Sequence, residues 1–322
     1  MRYDIGLDVG GTNLSAGVVD EEGRVISRAV LPAGAGRSIE EISADMAKVS
    51  LMAVENAGLT LRDMASWGIG MPSCVNPQTG LLVHANCFGW RNVPIYRYLE
   101  PLIDLPVFIE NDANCAVLGE TAAGAAKGFQ NVVMLTLGTG VGGGIILNGH
   151  IYSGADGLGA ELGHTKLVWR GRKCTCGQTG CLDGYCSARG LADTAREMLT
   201  DDSALWDLCH HDIRKLEARM VTEAFRLGDR TAMDIWDLYL SQLAAAIGNF
   251  IVIFRPEAII LGGGVAKAGS LLLEPLRQKV RESTFAAAEI GIPELRLAET
   301  GNDAGIIGAA MLEQYGIDKR KQ

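Results

Sequence analysis

Two segments in different halves of the chain repeat one pattern: an apolar strand-like run, a turn of glycine and threonine, and a second strand-like run. The first is Leu7-Asp8-Val9-Gly10-Gly11-Thr12, and the second is Thr136-Leu137-Gly138-Thr139-Gly140-Val141. The order of predicted elements around the two segments is also alike, so the pattern indicates an internal duplication. Chance is the alternative, because glycine-rich hairpins are common. A chain of 322 residues has room for roughly two domains, which suits two related halves.

Apolar periodicity predicts an α/β order of elements. Strands are predicted over residues 3–9, 14–20, 25–31, 67–71, 107–110, 132–137, 144–147, 258–261 and 295–298. Helices are predicted over residues 39–56, 189–199, 205–227 and 231–253, and onward from residues 112, 271 and 303. Ser38 is the predicted N-cap of the first helix, and Gly58 its predicted stop.

The charge balance bears on the class of partner. A formal net charge of −9 argues against nucleic acid or an anionic membrane, because both attract clustered Lys and Arg. Asp4 and Asp8 interrupt the apolar core that a signal peptide would need. The longest apolar run, at 247–254, is shorter than the ~20 residues of a transmembrane helix. A cytoplasmic protein is therefore expected.

The turn Asp8-Val9-Gly10-Gly11-Thr12-Asn13 is a candidate phosphate site. The paired glycines Gly10 and Gly11 allow backbone N–H groups to point at an anion, and Thr12 and Asn13 add side-chain donors. Asp8, at the end of the strand, is placed to orient water around a phosphate-bound Mg²⁺. The alternative is an ordinary Gly-Gly hairpin.

Two further glycine-rich loops follow predicted strands. The run Gly138-Thr139-Gly140-Val141-Gly142-Gly143 contains the spacing of a dinucleotide fingerprint, which makes a hydride-transfer enzyme an alternative. That fingerprint requires a helix after the third glycine, whereas residues 144–147 are predicted as strand. The run is therefore interpreted as a phosphate loop of another fold. Gly262-Gly263-Gly264 follows the strand at 258–261 and would admit a purine or ribose.

Acidic and amide side chains, Glu110-Asn111-Asp112-Ala113-Asn114, occur where a predicted strand passes into a helix. Ligands bind at such junctions in open α/β sheets. The helix N-terminus would keep Asp112 ionised, which suits a general base for a substrate hydroxyl. A weak base is sufficient in phosphoryl transfer, because the transition state is loose and the proton can leave late. The alternative is that Asp112 is only an N-cap.

The most specific local pattern is the cysteine cluster Cys174-Thr175-Cys176-Gly177-Gln178-Thr179-Gly180-Cys181. Three thiols this close, separated by glycines that permit sharp turns, can surround a tetrahedral ion. His164 would complete a closed Cys₃His zinc site, and Cys186 is a competing fourth ligand. Unligated reduced thiols are the alternative. A closed site is structural, because it leaves no position for the water of a zinc hydrolase.

Together these segments resemble the ROK family of bacterial sugar kinases and related repressors. The resemblance covers essentially the whole chain, and its most specific part is Glu161-Leu162-Gly163-His164 with the cysteine spacing. It implies an actin-like (ribonuclease H-like) duplicated α/β ATPase fold of two domains with a cleft between them. The implied small N-terminal domain is 1–118, completed by a C-terminal helix at 303–322. The implied large domain is 119–302, with a zinc-binding insert at 164–186.

The resemblance also implies roles for individual residues. Asp112 is the general base on the sugar hydroxyl, and the other sugar ligands are Asn86, Asn111, Glu161, His164 and Asp183, with His164 also on zinc. ATP with Mg²⁺ lies against the Asp8–Asn13 and Gly138–Gly140 turns, with adenosine near Gly262–Gly264. A homodimer is the family's usual assembly.

The implied function is ATP-dependent phosphorylation of a hexose, and glucose is the specific expectation. Family members usually carry Glu where this chain has Asp183. Because the Asp side chain is one methylene shorter, its carboxylate is withdrawn from the expected sugar contact, and the identity of the hexose stays open. N-acylhexosamine, allose and fructose kinases are alternatives, and polyphosphate is an alternative donor. A sugar-responsive regulator would need a DNA-binding region of ~60 residues before the first phosphate turn. That turn begins at Asp8, so a regulator is not expected.

Overall fold

The structure is a computed structural model that describes residues 2–34, 36–85 and 87–315. Its described residues form two compact units, one within 1–132, 144–160 and 299–322, and the other within 133–143 and 161–298. These limits differ from the domain boundaries expected at 118/119 and 302/303, which stay a prediction.

The strands are β1 (Tyr3–Val9), β2 (Asn13–Asp20), β3 (Val25–Pro32), β4 (Met64–Met71), β5 (Cys74–Asn76), β6 (Leu81–Ala85), β7 (Trp90–Pro94), β8 (Val107–Asn111), β9 (Val132–Leu137), β10 (Val141–Leu147), β11 (His150–Ile151), β12 (Ala258–Gly262) and β13 (Glu294–Leu297). The α-helices are α1 (Ile39–Asn56), α2 (Tyr96–Leu99), α3 (Asp112–Ala123), α4 (Asp183–Cys186), α5 (Ala188–Met198), α6 (Leu205–Leu208), α7 (Ala218–Arg226), α8 (Arg230–Phe254), α9 (Ser270–Ser283), α10 (Ala287–Ile290) and α11 (Ala304–Ala310).

Two five-stranded sheets have matching strand orders. The first has the order β3-β2-β1-β4-β8, and the second has the order β11-β10-β9-β12-β13. In the first sheet β1, β2 and β3 form an antiparallel meander, while β4 and β8 run parallel to β1. In both sheets the first strand has its two successors on one side and two later strands on the other, which is the arrangement that an internal duplication predicts. A separate three-stranded sheet has the order β5-β6-β7.

Helix α11 packs at backbone contact distance against β1, β4 and α3, because glycines occupy the contact points. A Cβ atom on Gly6 would lie 1.9 Å from the Ile306 carbonyl oxygen, and one on Gly68 would lie 1.7 Å from that of Ala309. A Cβ on Gly308 would lie 1.7 Å from the Cys115 carbonyl oxygen. No side chain fits at these distances. The contact therefore fixes the two elements that carry Asp8 and Asp112.

Most predicted elements are present, and the boundaries of α1 are confirmed in detail. The Glu41 N–H donates to Ser38 Oγ at 3.2 Å, the Ser38 N–H donates to Glu41 Oε2 at 2.9 Å, and Gly58 after the helix has φ +68°. The prediction of one helix over 205–227 is wrong, since the segment forms the separate helices α6 and α7. His210 and His211 between them have φ values of 53° and 54°, a conformation that a right-handed helix cannot contain. The predicted helix at 303–322 is shorter in the structure, since α11 ends at Ala310 and residues 311–315 form turns; the remaining predicted residues, 316–322, lie outside the described part.

The apolar run at 247–254 belongs to the longer helix α8. With 25 residues, α8 is long and apolar enough to cross a membrane by length and composition alone. The apolar run at 247–254 was too short to indicate this. Half of its most apolar window is buried inside the protein. Core helices of soluble proteins pass the same test, so this is weak support for a membrane span.

Candidate active site

The predicted phosphate turn of the first unit is a closed hairpin between β1 and β2. The Gly10 N–H donates to the Asn13 carbonyl oxygen at 2.8 Å, and the Thr12 carbonyl oxygen accepts from the Ala33 N–H at 2.8 Å. Gly11, Thr12 and Asn13 form its exposed tip. A Cβ on Gly11 would lie 3.2 Å from Cys87 Cβ, so this tip lies against the segment after β6.

Asp8 precedes that turn at the end of β1 and is half-buried. Burial raises the pKa of Asp8 to about 6. Its carboxyl group packs against α11, where a Cβ on Gly305 would lie 2.8 Å from Asp8 Cγ. A carboxyl group held in this environment becomes easier to ionise when a cation binds beside it.

Asp112 is the first residue of α3, and the N-cap is its neighbour Asn111. Asn111 Oδ1 accepts from the N–H groups of Ala113 at 2.8 Å and Asn114 at 3.2 Å. The alternative that Asp112 serves as the N-cap is therefore wrong. Asp112 is half-buried, and its Oδ1 accepts from the Ala113 N–H at 2.8 Å. In the first turn of a helix the backbone dipoles favour a negative charge.

Within the first unit the sheet brings these two acids to the same edge. Asp8 pairs in register with Gly70 of β4, and Gly70 pairs with Glu110 of β8. The Cβ position of Gly70 lies 3.7 Å from Asp112 Cα. These residues lie at the carboxyl ends of parallel strands, where open α/β sheets bind ligands.

The second unit brings together two of the predicted nucleotide loops. The Gly138 N–H donates to the Gly140 carbonyl oxygen at 2.9 Å, which makes Gly138–Gly140 a tight turn. This turn leads directly into strand β10, so the prediction of strand after the loop is confirmed and the dinucleotide alternative is wrong. Gly263 has φ +86°, and a Cβ on it would lie 2.6 Å from the Leu137 carbonyl carbon. Only glycine permits this approach.

A cavity of about 590 Å³ lies beside these loops in the second unit. Thr139 and Gly264 belong to its wall, as do α5, α7 and the segment after Gly264. Its charged lining residues are Arg189, Arg196, Arg219, Arg226, Lys267, Glu217 and Glu223. The volume is within the range of small-molecule sites, roughly 300–1,000 Å³. Gly262, the first glycine of the third run, ends β12 and is buried.

Glu161 and His164 lie on a short loop that packs on β10. A Cβ on Gly143 would lie 2.5 Å from Leu162 Cβ, and one on Gly163 would lie 1.9 Å from the Val141 carbonyl oxygen. Glycine on both sides of the contact therefore holds the loop close to the strand. Leu162 is buried, whereas Glu161 and His164 are exposed.

The Cys₃His group forms a compact cluster. The ligand atoms of His164, Cys174, Cys176 and Cys181 all lie within 4.8 Å of one another. Cys174 Sγ lies 3.7 Å from His164 Nδ1, and Cys176 Sγ lies 3.8 Å from Cys181 Sγ. Zinc–sulfur bonds of ~2.3 Å in a tetrahedron separate two sulfur atoms by ~3.8 Å, so these distances fit a zinc ion. Cys186 is not part of this group.

Asp183 lies between the cysteine cluster and the Gly138–Gly140 turn. It is buried, and its Oδ1 accepts from the Val141 N–H at 2.8 Å. Its Oδ2 forms an ion pair with Arg189 and lies 3.7 Å from Cys174 Sγ. Sequence reasoning missed Arg189, because nothing in the spacing of residues 183–189 indicates that these two side chains meet.

The described units divide the other predicted ligands. Asn111 and Asp112 belong to the first unit, and Glu161, His164 and Asp183 belong to the second. Asn86, a predicted sugar ligand, lies outside the described residues.

Two sheets of matching order, glycine turns after their first strands and an acid at the head of α3 define an α/β protein of the duplicated ATPase class. The chain belongs to the ROK family, whose sequence profile ("ROK family") matches residues 4–315. The predicted actin-like fold is thereby confirmed.

Comparisons with individual proteins extend over nearly the whole chain. It is 36% identical to a glucokinase of Halalkalibacterium halodurans over 315 residues, which is 97% of this chain and 94% of that one. It is 32% identical to an N-acetyl-D-glucosamine kinase of Haemophilus influenzae, with 95% of this chain and 98% of that one covered. The crystal structure of a ROK family glucokinase from Streptomyces griseus in complex with glucose and AMPPNP superposes with a TM-score of 0.79. It is 34% identical and covers 98% of this chain and 100% of that one.

Proposed function

We propose that this protein is an ATP-dependent hexose kinase, a glucokinase that transfers the γ-phosphoryl group of ATP to a glucose hydroxyl. The observation that carries the proposal is the position of Asp112. It is the first residue of α3, on the sheet edge that also carries Asp8 and the exposed glycine turn. The similarity to glucokinases over nearly the whole chain supports the same conclusion.

In the proposed reaction Asp112 accepts the proton of the attacking sugar hydroxyl. The helix N-terminus stabilises its charge, and the Asn111 cap fixes the backbone on which it stands. Backbone and side-chain donors of Gly10, Gly11, Thr12 and Asn13 bind phosphate oxygens in the first unit, and Gly138, Thr139 and Gly140 do so in the second. Magnesium bound with ATP would neutralise charge on the phosphates, and Asp8 would orient water around that ion. Asn86, Asn111, Glu161, His164 and Asp183 remain the proposed sugar ligands.

The cavity beside Thr139 and Gly264 is the proposed adenosine site. It has the right volume, and Gly264 at its wall leaves room for a flat base, since a Cβ there would meet no atom within 4 Å. Arg189 and Lys267 bring positive charge to the same wall. ATP is accordingly the proposed donor, and polyphosphate is the alternative.

The Cys₃His cluster is the proposed site of a structural zinc ion. Three thiolates and an imidazole are a donor set that zinc prefers, and the sulfur spacing fits tetrahedral coordination. A zinc ion held by these residues would join the loop of His164 to the cysteine segment. It would thereby hold Glu161 in place without taking part in the chemistry.

A homodimer and a cytoplasmic location complete the proposal. Four apolar side chains are exposed: Val168 by 38%, Trp169 by 80%, Val252 by 60% and Ile253 by 68%. Leu167, Val252 and Ile253 line one small cavity. We propose that a second copy of the chain covers this apolar patch, because isolated monomers rarely leave such a patch in water. Reducing conditions such as those of the cytoplasm also favour a thiolate zinc site, because they keep thiols from forming disulfides.

An N-acylhexosamine kinase is the second candidate, and the relative in Haemophilus influenzae favours it. Asp183 is the residue that bears on this choice. Its two oxygen atoms already contact Val141 and Arg189, which restricts how it can meet a sugar hydroxyl. Allose and fructose remain further alternatives.

An ADP-release assay tests the proposed function. Glucose, N-acetylglucosamine, N-acetylmannosamine, allose and fructose are each offered with magnesium-ATP, and glucose also with polyphosphate. We expect the highest kcat/KM with glucose and ATP, and a kcat lower by at least about a hundredfold in Asp112→Asn. Highest turnover of another sugar would retain the kinase and change its substrate. Absence of turnover in folded, zinc-loaded protein would refute the kinase and favour a sugar-responsive regulator.

A further inference from the structure

Two glutamates of the first unit, Glu110 and Glu120, are fully buried, and their surroundings are opposite in kind. Glu120 is surrounded by donors: Oε1 accepts from the Thr300 N–H at 2.9 Å and from its hydroxyl, and Oε2 accepts from the N–H groups of Ala125 at 2.8 Å and Glu299 at 3.1 Å. Each of these partners is a donor, so the Glu120 carboxyl group acts here as an acceptor.

Glu110 has an incomplete set of partners when it is treated as an ionised carboxylate. Its Oε1 accepts from the Asn111 N–H at 2.8 Å and from Asn114 Nδ2 at 3.0 Å. Glu110 Oε2 and Asn114 Oδ1 are both buried and have no hydrogen-bond partner. An orphaned buried acceptor destabilises the folded state, and here two of them belong to a pair of side chains already joined by one hydrogen bond.

One proton on Glu110 Oε2, donated to Asn114 Oδ1, would resolve both defects. A carboxylic acid and a primary amide form a ring of two hydrogen bonds, in which the amide N–H donates to the acid carbonyl and the acid O–H donates to the amide oxygen. The first of these bonds is present between Asn114 Nδ2 and Glu110 Oε1. The two unpaired atoms are the donor site and the acceptor that the second bond requires.

We propose that Glu110 is held as a neutral acid in a cyclic pair with Asn114, and that this pair positions the turn that carries Asp112. The inference rests on the proposed function for the role of Asp112, but the protonation state of Glu110 does not depend on it. Glu110 is thus a positioning residue. Its Oε1 holds the Asn111 N–H, and its partner Asn114 lies in the first turn of α3.

The other groups around Glu110 favour the neutral form. The residue opposite it on β4 is Gly70, which has no side chain. The titratable groups that interact with it are Tyr96 of α2 and Cys115 of α3, and Cys115 in turn lies near Asp112 and Asp8. None of these is a cation. Burial raises the pKa of Glu110 to about 7, although the hydrogen bonds from Asn114 and Asn111 lower it.

Protonation of Glu110 gives a defined dependence of stability on pH. Because the pKa in the folded protein is above the usual value of ~4.3, the folded state retains a proton that the unfolded chain has lost. The stabilisation is complete below pH ~4.3 and is lost as the pH rises toward 7. Glu110→Gln cannot titrate, and its amide N–H can donate to Asn114 Oδ1 as the acid does.

The experiment compares urea unfolding of the wild type, Glu110→Gln and the control Glu120→Gln from pH 5 to 8. The folding constant of the wild type relative to Glu110→Gln should fall by about fortyfold in total between pH 5 and 7. A ratio that rises or stays level in this range would overturn the proposal that Glu110 is a neutral acid. An ionised Glu110, with a buried water donating to both orphaned oxygens, would give that result. Glu120→Gln should be less stable than the wild type at every pH, since its amide faces N–H donors.

Kinase assays at pH 6.5 test the positioning role. Glu110→Gln should retain kcat within about threefold of the wild type, while Glu110→Ala should lose ~10–100-fold in kcat, as expected for a misplaced catalytic group. Glu110→Asp, whose shorter side chain moves the carboxyl group away from Asn114, should also lose activity. This variant is used in place of Glu110→Ala if Glu110→Ala does not fold. Wild-type kcat in the folded Ala or Asp variant, or loss of activity in Gln, would refute the positioning role. An inactive wild type would refute the proposed function and leave the unfolding result unaffected.

Discussion

Asp112→Asn should separate catalysis from folding in this protein, because the proposed general base, Asp112, and the N-cap of α3, Asn111, are different residues. The helix cap is Asn111, whose Oδ1 holds the Ala113 and Asn114 N–H groups and is untouched by the substitution. Asn at position 112 also keeps an oxygen that can accept from the Ala113 N–H, as Asp112 Oδ1 does in the wild type at 2.8 Å. The remaining loss is the interaction of one negative charge with the helix dipole, ~0.3–1 kcal/mol.

The chemical loss is much larger. An amide cannot accept the hydroxyl proton, and a positioned general base contributes ~10²–10⁴ in rate, which corresponds to ~3–5 kcal/mol in activation free energy. We therefore expect kcat to fall by at least a hundredfold while the free energy of unfolding changes by less than ~1 kcal/mol. ADP release and urea unfolding measure the two quantities on one preparation. Near-wild-type kcat, or a loss of activity that only follows a loss of stability, would contradict the assignment.

Three further predictions concern packing, zinc and the nucleotide. Gly68→Ala places a Cβ 1.7 Å from the Ala309 carbonyl oxygen and should destabilise the protein by ~1–3 kcal/mol or more in urea unfolding. The control is Gly184→Ala, whose added Cβ would have its nearest contact at 3.7 Å. Equal stability of the two variants would show that α11 can move away from β4. Cys176→Ser should lower both the zinc content by elemental analysis and the Tm, and a metal-free variant of unchanged Tm would count against a structural ion. Lys267→Ala should raise the KM for ATP about tenfold, since Lys267 lines the cavity and a charge-assisted hydrogen bond contributes ~1.5–3 kcal/mol. An unchanged KM would place the nucleotide elsewhere than in the cavity of the second unit.

Local chemistry made much of this protein predictable from its sequence. The glycine turns, the α1 cap at Ser38 and the Cys₃His cluster depend on residues close together in the chain, so their spacing alone indicates them. The strand after Gly143 was also predictable, because residues 144–147 have no helical features. For the same reason, the ROK resemblance was carried by short motifs.

Other features were decided only by tertiary structure. Whether Asn111 or Asp112 caps α3 depends on the path by which β8 enters the helix, and both residue types are good caps. The break at His210 and His211 is a backbone conformation that side-chain periodicity does not indicate. The contrast between Glu110 and Glu120 depends on partners brought in by folding, above all Thr300, which is 180 residues away from Glu120. Sequence spacing determines which groups are available, whereas the state of a buried charge is set by the donors and acceptors that the fold places around it.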